Sequence, residues 1–373
     1  MPERRSESVT FTVVVTVLVA LGALMMLAVL ALAGAPTVTL VAALLAALPV
    51  GPLVACYLWL DRYEPEPKRL LVYGLLWGAF VATAAALVLG GLGGIFGAIT
   101  DEVSLAVVAP VTEEAAKGLF LLLLLWWRRG ELDGILDGIV YAGMVGIGFA
   151  FTENVLYLAA AYNGTDAMGP GGVAGVTSTF VLRCVVSPFA HPLFTAFIGI
   201  GVGIAVASRR RWVQFAAPLG GYALAVLTHA AWNASTIFGT NGFAGVYLAL
   251  MVPALVGMVC LAFWARRTEA QVLNAALHDA ARRNLIPETD IGGVVDLRAR
   301  RAARAYAASR GGADGARAMA AYQQATIELG YLHHRLLRGT PPADWRERGA
   351  EHVARIRAVR PFIAFPGQVV PTL

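Results

Sequence analysis

The chain has 373 residues, 58% hydrophobic and 14% charged, with a mean hydropathy of +0.67 and a formal net charge of +5. That apolar content excludes a soluble globular domain and a disordered chain, and marks an integral membrane protein. Three cysteines, Cys56, Cys184 and Cys260, stand apart in separate apolar stretches and have no Cys-x-x-Cys spacing, so neither a disulfide framework nor a cysteine metal centre is expected.

In chain order, the first 266 residues divide into eight apolar runs near 11–34, 37–60, 70–95, 103–127, 135–160, 177–206, 212–237 and 243–265. Each is long enough for a helix to cross a hydrocarbon core, which takes about 20 residues. The first run follows Arg4 and Arg5 and ends in "LAGA", but it is longer than a signal-peptide core and reads as a retained anchor. Positive charge falls in every second loop: Arg62, Lys68 and Arg69, then Arg128 and Arg129, Arg209 to Arg211, and Arg266 with Arg267. The intervening loops "GAPT", "TDEVS", "YNGTDAMGPGG" and "FGTNGF" carry no lysine or arginine. Because basic loops stay on the cytoplasmic side, both termini are predicted cytoplasmic in a multi-pass protein of the cell membrane.

From Arg267 onward the composition turns to alanine and arginine, with sixteen of the 29 basic residues. This stretch reads as cytosolic helices whose basic faces suit anionic lipid headgroups. No nucleic-acid motif accompanies the charge, so no nucleic-acid partner is expected. The predicted fold is all-α: a polytopic bundle of about eight spans over 1–266, and a cytosolic Ala/Arg-rich helical tail over 267–373.

Within the spans a charged side chain costs about 2.5–3.5 kcal/mol at a helix centre, so each one requires a partner or a function. The fourth run holds Glu113, Glu114 and Lys117; the fifth, Glu153 beside Asn154; the sixth, Arg183 and His191; the seventh, His229 and Asn233. Measured along the helices, Glu113, Glu153, His191 and His229 fall at one depth, in the middle or outer half of the bilayer. They are predicted to share one site in the bundle interior. Lys117 follows Glu113 at i,i+4 and Glu114 at i,i+3, so it can neutralise one glutamate. The two glutamates point about 100° apart, so one is expected to face the site and the other to hold Lys117 or a neighbouring helix. Asn233 lies one turn beyond His229, placed to orient the ring or to donate to a substrate oxygen. Pro188 and Pro192 bracket His191 and predict irregular backbone beside a hydrated cavity.

Carboxylates and imidazoles in a wet, low-dielectric cavity suit activation of water for hydrolysis. Two schemes fit. A glutamate takes the proton of water with histidine assistance and no cofactor, or Glu153, His191 and His229 hold zinc or another divalent metal while a glutamate of the fourth run acts as base. Two readings from other classes use the same groups: a proton-coupled transporter with these residues as a relay, and a membrane scaffold working through its tail.

The segments "DRYEPEP" (61–67), "EEAAK" (113–117), "DGIVYAGMVGIGFAFTENVLY" (137–157), "HPLFTAFIG" (191–199) and "HAAWN" (229–233) closely resemble the PrsW family of bacterial intramembrane proteases. That family is similar to the type II CAAX prenyl endopeptidases, whose pattern is Glu-Glu, FxxxH and HxxxN. Here the second motif is Phe149-Ala-Phe-Thr-Glu153, with glutamate where the CAAX enzymes have histidine. The resemblance covers roughly 55–265. It implies a peptidase that cuts membrane-associated proteins, anti-sigma factors of stress signalling among them, with single-span proteins as substrates. It also implies that Glu113 and Glu114 carry the base role and that Glu153, His191 and His229 complete the site; Lys117, Asn154 and Asn233 are read from their positions as supporting residues.

Overall fold

The computed structural model describes residues 2–32, 35–95, 100–164 and 171–367. Parts of the loops "GAPT" and "YNGTDAMGPGG", and the side chains of Arg4 and Arg5, lie outside the described residues. Helices account for nearly all of the rest, with no strand among the described residues. We label them α1 (Pro2–Leu32), α2 (Pro36–Leu60), α3 (68–95), α4 (101–127), α5 (Ile135–Asn163), α6 (172–186), α7 (Ala190–Ala207), α8 (Arg211–Ile237) and α9 (Gly239–Arg282). By length and composition, six stretches among the described residues are apolar enough to cross a membrane: α1, α2, α3, α5, α6 with α7, and α9. Helices α4 and α8 are of comparable length, but they are the ones that carry Glu113, Glu114 and Lys117, and His229 with Asn233.

The chain forms two compact units, Met1–Asp61 with Glu66–Ala262, and Arg62–Pro65 with Phe263–Leu373. In the first, α5 is the axis: 89% of its apolar window is buried, against 17% for α1 and 11% for α2. Its glycines bring neighbours to backbone contact. A methyl group on Gly138 would lie 2.0 Å from the carbonyl oxygen of Gly199 on α7, and one on Gly146 would lie 2.6 Å from the Cα of Pro192. Such small-residue seams let helices approach in lipid, where no hydrophobic force drives them together.

Local chemistry sets the helix ends. Thr100 caps α4 by accepting from the Val103 N–H, with Asp101 and Glu102 in the first turn. At the start of α5, Asp137 reaches back to accept from the N–H groups of Asp133 and Gly134, at 2.5 and 3.0 Å. The predicted sixth span is broken: a π-helical turn over Val181–Val186 ends at Ser187, and a new helix begins at Ala190. Pro188 lies in the break, and Pro192 falls in the first turn of α7, where a missing N–H costs no intrahelical bond. His191 therefore sits at the start of a helix, not in the middle of a kinked one.

In the second unit, α10 (Leu297–Arg338) is capped by the Asp296 carboxylate, breaks from helical geometry at Gly311 and Gly312, and ends at left-handed Gly339. It packs with α11 (Trp345–Val359) around Leu273, Leu277, Met319, Tyr322, Ile356 and Phe365. Asp290, fully buried, accepts from Tyr322 at 2.5 Å and pairs with Arg360 at 2.5 Å. Arg300 donates to the carbonyls of Arg62 and Tyr63, and burial lowers its guanidinium to about 10.

Candidate functional site

Helices α4, α5, α7 and α8 bring their expensive side chains into direct contact. The backbone of α4 is held on both sides of the glutamates. Tyr222 of α8 donates to the carbonyl of Val111 at 2.8 Å, and the Trp77 indole of α3 donates to that of Ala116 at 2.9 Å. Glu113 and Glu114 between these anchors, and Lys117 just beyond the second, all point inward and are buried.

Both glutamates reach the same partners. Lys117 Nζ lies 2.8 Å from Glu114 Oε1 and 3.3 Å from Glu113 Oε2. His229 stands between them, its Nδ1 3.0 Å from Glu114 Oε1 and its Nε2 3.8 Å from Glu113 Oε2. The two glutamates thus share Lys117 and His229. Their Cα–Cβ bonds diverge, but two long side chains close that angle on one ammonium and on opposite nitrogens of one ring. Glu114 is saturated, since Thr195 also donates to its Oε2 at 3.1 Å and none of its side chain is exposed. Glu113 makes its contacts through Oε2 and keeps 10% of its side chain exposed, which makes it the less enclosed of the two.

The second histidine repeats the arrangement. His191 Nε2 lies 2.6 Å from Glu153 Oε2, and an ionised carboxylate only accepts, so this nitrogen carries the hydrogen. Glu153 is held by Arg183, whose Nε also donates to Asn154 at 2.7 Å and whose guanidinium lies 4.0 Å over the Tyr157 ring. His191 Nδ1 is turned the other way, 3.2 Å from Lys117 Nζ. The rings of His191 and His229 meet edge to face at 5.2 Å, with Phe194 stacked on His229 and Phe149 against His191.

Each imidazole thus donates one N–H to a cation-held carboxylate, Glu114 fully buried and Glu153 partly so, and turns its other nitrogen inward. Outer-shell carboxylates fix metal-binding histidines in this way. The donor atoms that come together, all within 4.8 Å of one another, belong to Glu113, His191 and His229. Two imidazoles and a carboxylate fit a divalent metal of the zinc type. The trio read from sequence had Glu153 in place of Glu113. In the structure Glu153 is taken up by Arg183 and His191 Nε2, which puts it behind the histidine. Asn233 also differs from expectation: its Nδ2 donates to the carbonyl of Leu105 at 3.0 Å, inside the π-helical turn Ser104–Val108, and ties α8 to α4. Thr195 escaped the sequence reading although it lies four residues after His191, on the same helical face. Arg183 was counted as a costly charge without a role.

A second polar group lies at the other end of α5. Tyr141 donates to Glu66 at 2.6 Å, and Asp61 accepts from the Glu66 N–H at 2.9 Å. Burial, with the nearby Asp137 charge adding to it, pushes the Asp61 carboxyl up to about 8 against the lowering effect of that N–H. Glu66 is raised well above the carboxylate range for the same first reason.

A family model described as PrsW family intramembrane metalloprotease matches residues 66–258, which contain every site residue named above. Protease PrsW of Geobacillus kaustophilus (strain HTA426) is 30% identical over 176 residues, covering 45% of this chain and 71% of that protein. No solved structure matches the chain.

Proposed function

Since the chain belongs to the PrsW family of intramembrane metalloproteases and is a peptidase of the membrane, we propose that Glu113, His191 and His229 form its hydrolytic centre, backed by Glu114 and Glu153. The observation that carries this reading is the pairing of two inward ring nitrogens, each fixed by a carboxylate on its other side, with Glu113, whose donor atom lies within reach of both. A divalent metal would be held by His191 Nδ1, His229 Nε2 and Glu113 Oε2, where it would polarise the scissile carbonyl and acidify water. Glu113 Oε1 accepts a proton as the water oxygen bonds to the carbonyl carbon. The same carboxyl returns the proton to the departing amine as the C–N bond breaks. Glu114 and Glu153 hold the two rings in the tautomers that leave those inward nitrogens free of hydrogen.

Family membership favours the peptidase over the transporter and the scaffold. We read α4 and α8 as spans as well, making eight in all, with both termini cytoplasmic and the protein in the cell membrane. The basic loops and the pairing of the polar groups inside the bundle support this. The substrates we propose are single-span membrane proteins, anti-sigma factors among them, cut near the extracytoplasmic face. The test is cleavage of such a substrate by purified protein with and without chelator. Glu113→Gln is expected to lose about 10²–10⁴-fold in rate with its fold retained, and chelation to abolish cleavage until zinc is restored. A Glu113→Gln protein that cuts at the native rate sinks the assignment.

A further inference from the structure

Lysine is rare in this chain: of 29 basic residues, 27 are arginine and two are lysine, Lys68 and Lys117. An arginine fork prefers planar bidentate partners, whereas an ammonium is a compact charge with three N–H groups. Lys117 uses all three. Its Nζ lies 3.3 Å from Glu113 Oε2, 2.8 Å from Glu114 Oε1 and 3.2 Å from His191 Nδ1, on a side chain with no exposed surface. Two of these acceptors, Glu113 Oε2 and His191 Nδ1, are also two of the three atoms assigned above to the divalent metal. The ammonium and the metal need the same lone pairs.

We propose that Lys117 is the site's own cation, a built-in competitor that must yield Glu113 Oε2 and His191 Nδ1 before a divalent metal binds, and that it thereby weakens and tunes metal affinity. The lysine has somewhere to go. Glu114 Oε1 is not among the metal's donors, and the Phe149 ring face lies 3.6 Å from Nζ, so the ammonium keeps an ion pair and a cation–π contact after giving up the other two acceptors. Neither Glu113 nor Glu114 is therefore left without a cation in either condition: the lysine faces both without metal, and metal and lysine divide them afterwards. The inference rests on the metal reading of the site, and the experiment separates the two.

Zinc affinity is measured by chelator competition on the full-length native protein, Lys117→Arg and Lys117→Gln. In parallel, the two lysines of the native protein are labelled at Cε and Nζ and followed by NMR during the titration, the Lys117 signal being the one absent from Lys117→Arg. Removing a like charge at this distance is expected to tighten zinc binding in Lys117→Gln by about tenfold or more. The Lys117 signal is expected to shift with zinc while that of Lys68 stays. Equal or weaker binding by a folded Lys117→Gln, or zinc binding that leaves the Lys117 signal unmoved, overturns the competition and leaves the metal site standing. No zinc binding by any of the proteins overturns both. If Lys117→Gln does not fold, the titration of the native protein decides.

Discussion

A methyl group on Gly146 tests the geometry of the site without altering any side chain in it. Gly146 lies on α5 two turns before Glu153, against the start of α7 that carries His191. An alanine Cβ there would come within 2.6 Å of the Pro192 Cα, 2.7 Å of its nitrogen and 2.8 Å of the His191 carbonyl oxygen. Ordinary contact begins at 3.4 Å, and every opposing atom is backbone, so no rotamer change relieves the clash. The two helices must separate by about 0.8 Å at this point. The bond from His191 Nε2 to Glu153, 2.6 Å in the native chain, crosses the same seam and lengthens by a similar amount, out of the range of a strong hydrogen bond. A misplacement near 1 Å costs on the order of 10²-fold in rate, and overpacking a helix contact costs about 1–3 kcal/mol in stability. The assay is single-turnover cleavage of a reporter single-span protein in proteoliposomes, with thermal unfolding alongside. Gly220→Ala, on α8 with nothing within 4 Å of the added methyl, is the control and should cleave normally. Native cleavage rates in Gly146→Ala would refute the claim that this seam positions His191.

Two other predictions concern groups away from the hydrolytic centre. The Asp61 carboxyl is raised to about 8 from an ordinary value near 3.8, so the folded protein holds a proton there that the unfolded chain releases. That contribution to stability is present in full below about pH 4 and is lost progressively as pH rises to about 8. Asp61→Asn keeps an acceptor for the Glu66 N–H and should flatten the fall of unfolding temperature across that window; an unchanged slope would contradict the burial of Asp61. In the second unit, Arg360→Ala removes the guanidinium from the buried Asp290 carboxylate, leaves Tyr322 still donating to it, and is expected to cost about 3–5 kcal/mol, read as rapid proteolysis of the region after Phe263 in the intact protein, with native resistance arguing against the pair's importance.

The helices were legible as apolar runs, and the gathering of costly charges on four of them was legible from depth alone. What periodicity could not supply was partnership. A helical wheel gives the face of Glu113 and Glu114 but not the reach of their side chains, so both meet at Lys117 and His229 although their Cβ vectors diverge. Which nitrogen of His191 faces inward depends on Glu153 and Arg183, brought together across helices by the α5 glycines. Asn233 looked like a ring-orienting residue because i,i+4 spacing puts it on the face of His229, but the π-helical turn at 104–108 offers it a carbonyl that a sequence pattern does not reveal. The break at Ser187 was signalled by Pro188 and Pro192 as a kink, and the structure makes it a true end and restart because the preceding turn widens to a π-helix.

The polarity of α4 has a consequence for how the protein is made. Its three charges can pair with one another as soon as the helix forms, since Lys117 reaches Glu113 and Glu114 within a turn. The remaining partners of Glu114 are synthesised much later: Thr195 lies 81 residues on and His229 115 residues on. If α4 is a span, as proposed, an isolated α4 would enter lipid with part of its hydrogen-bonding capacity open, at a cost of kilocalories. On the proposed reading of α4 as a span, its place in the bilayer is secured by α7 and α8, so assembly of the proposed centre and membrane integration coincide, and a nascent chain stopped before residue 229 is expected to be held less firmly in the membrane than the full chain.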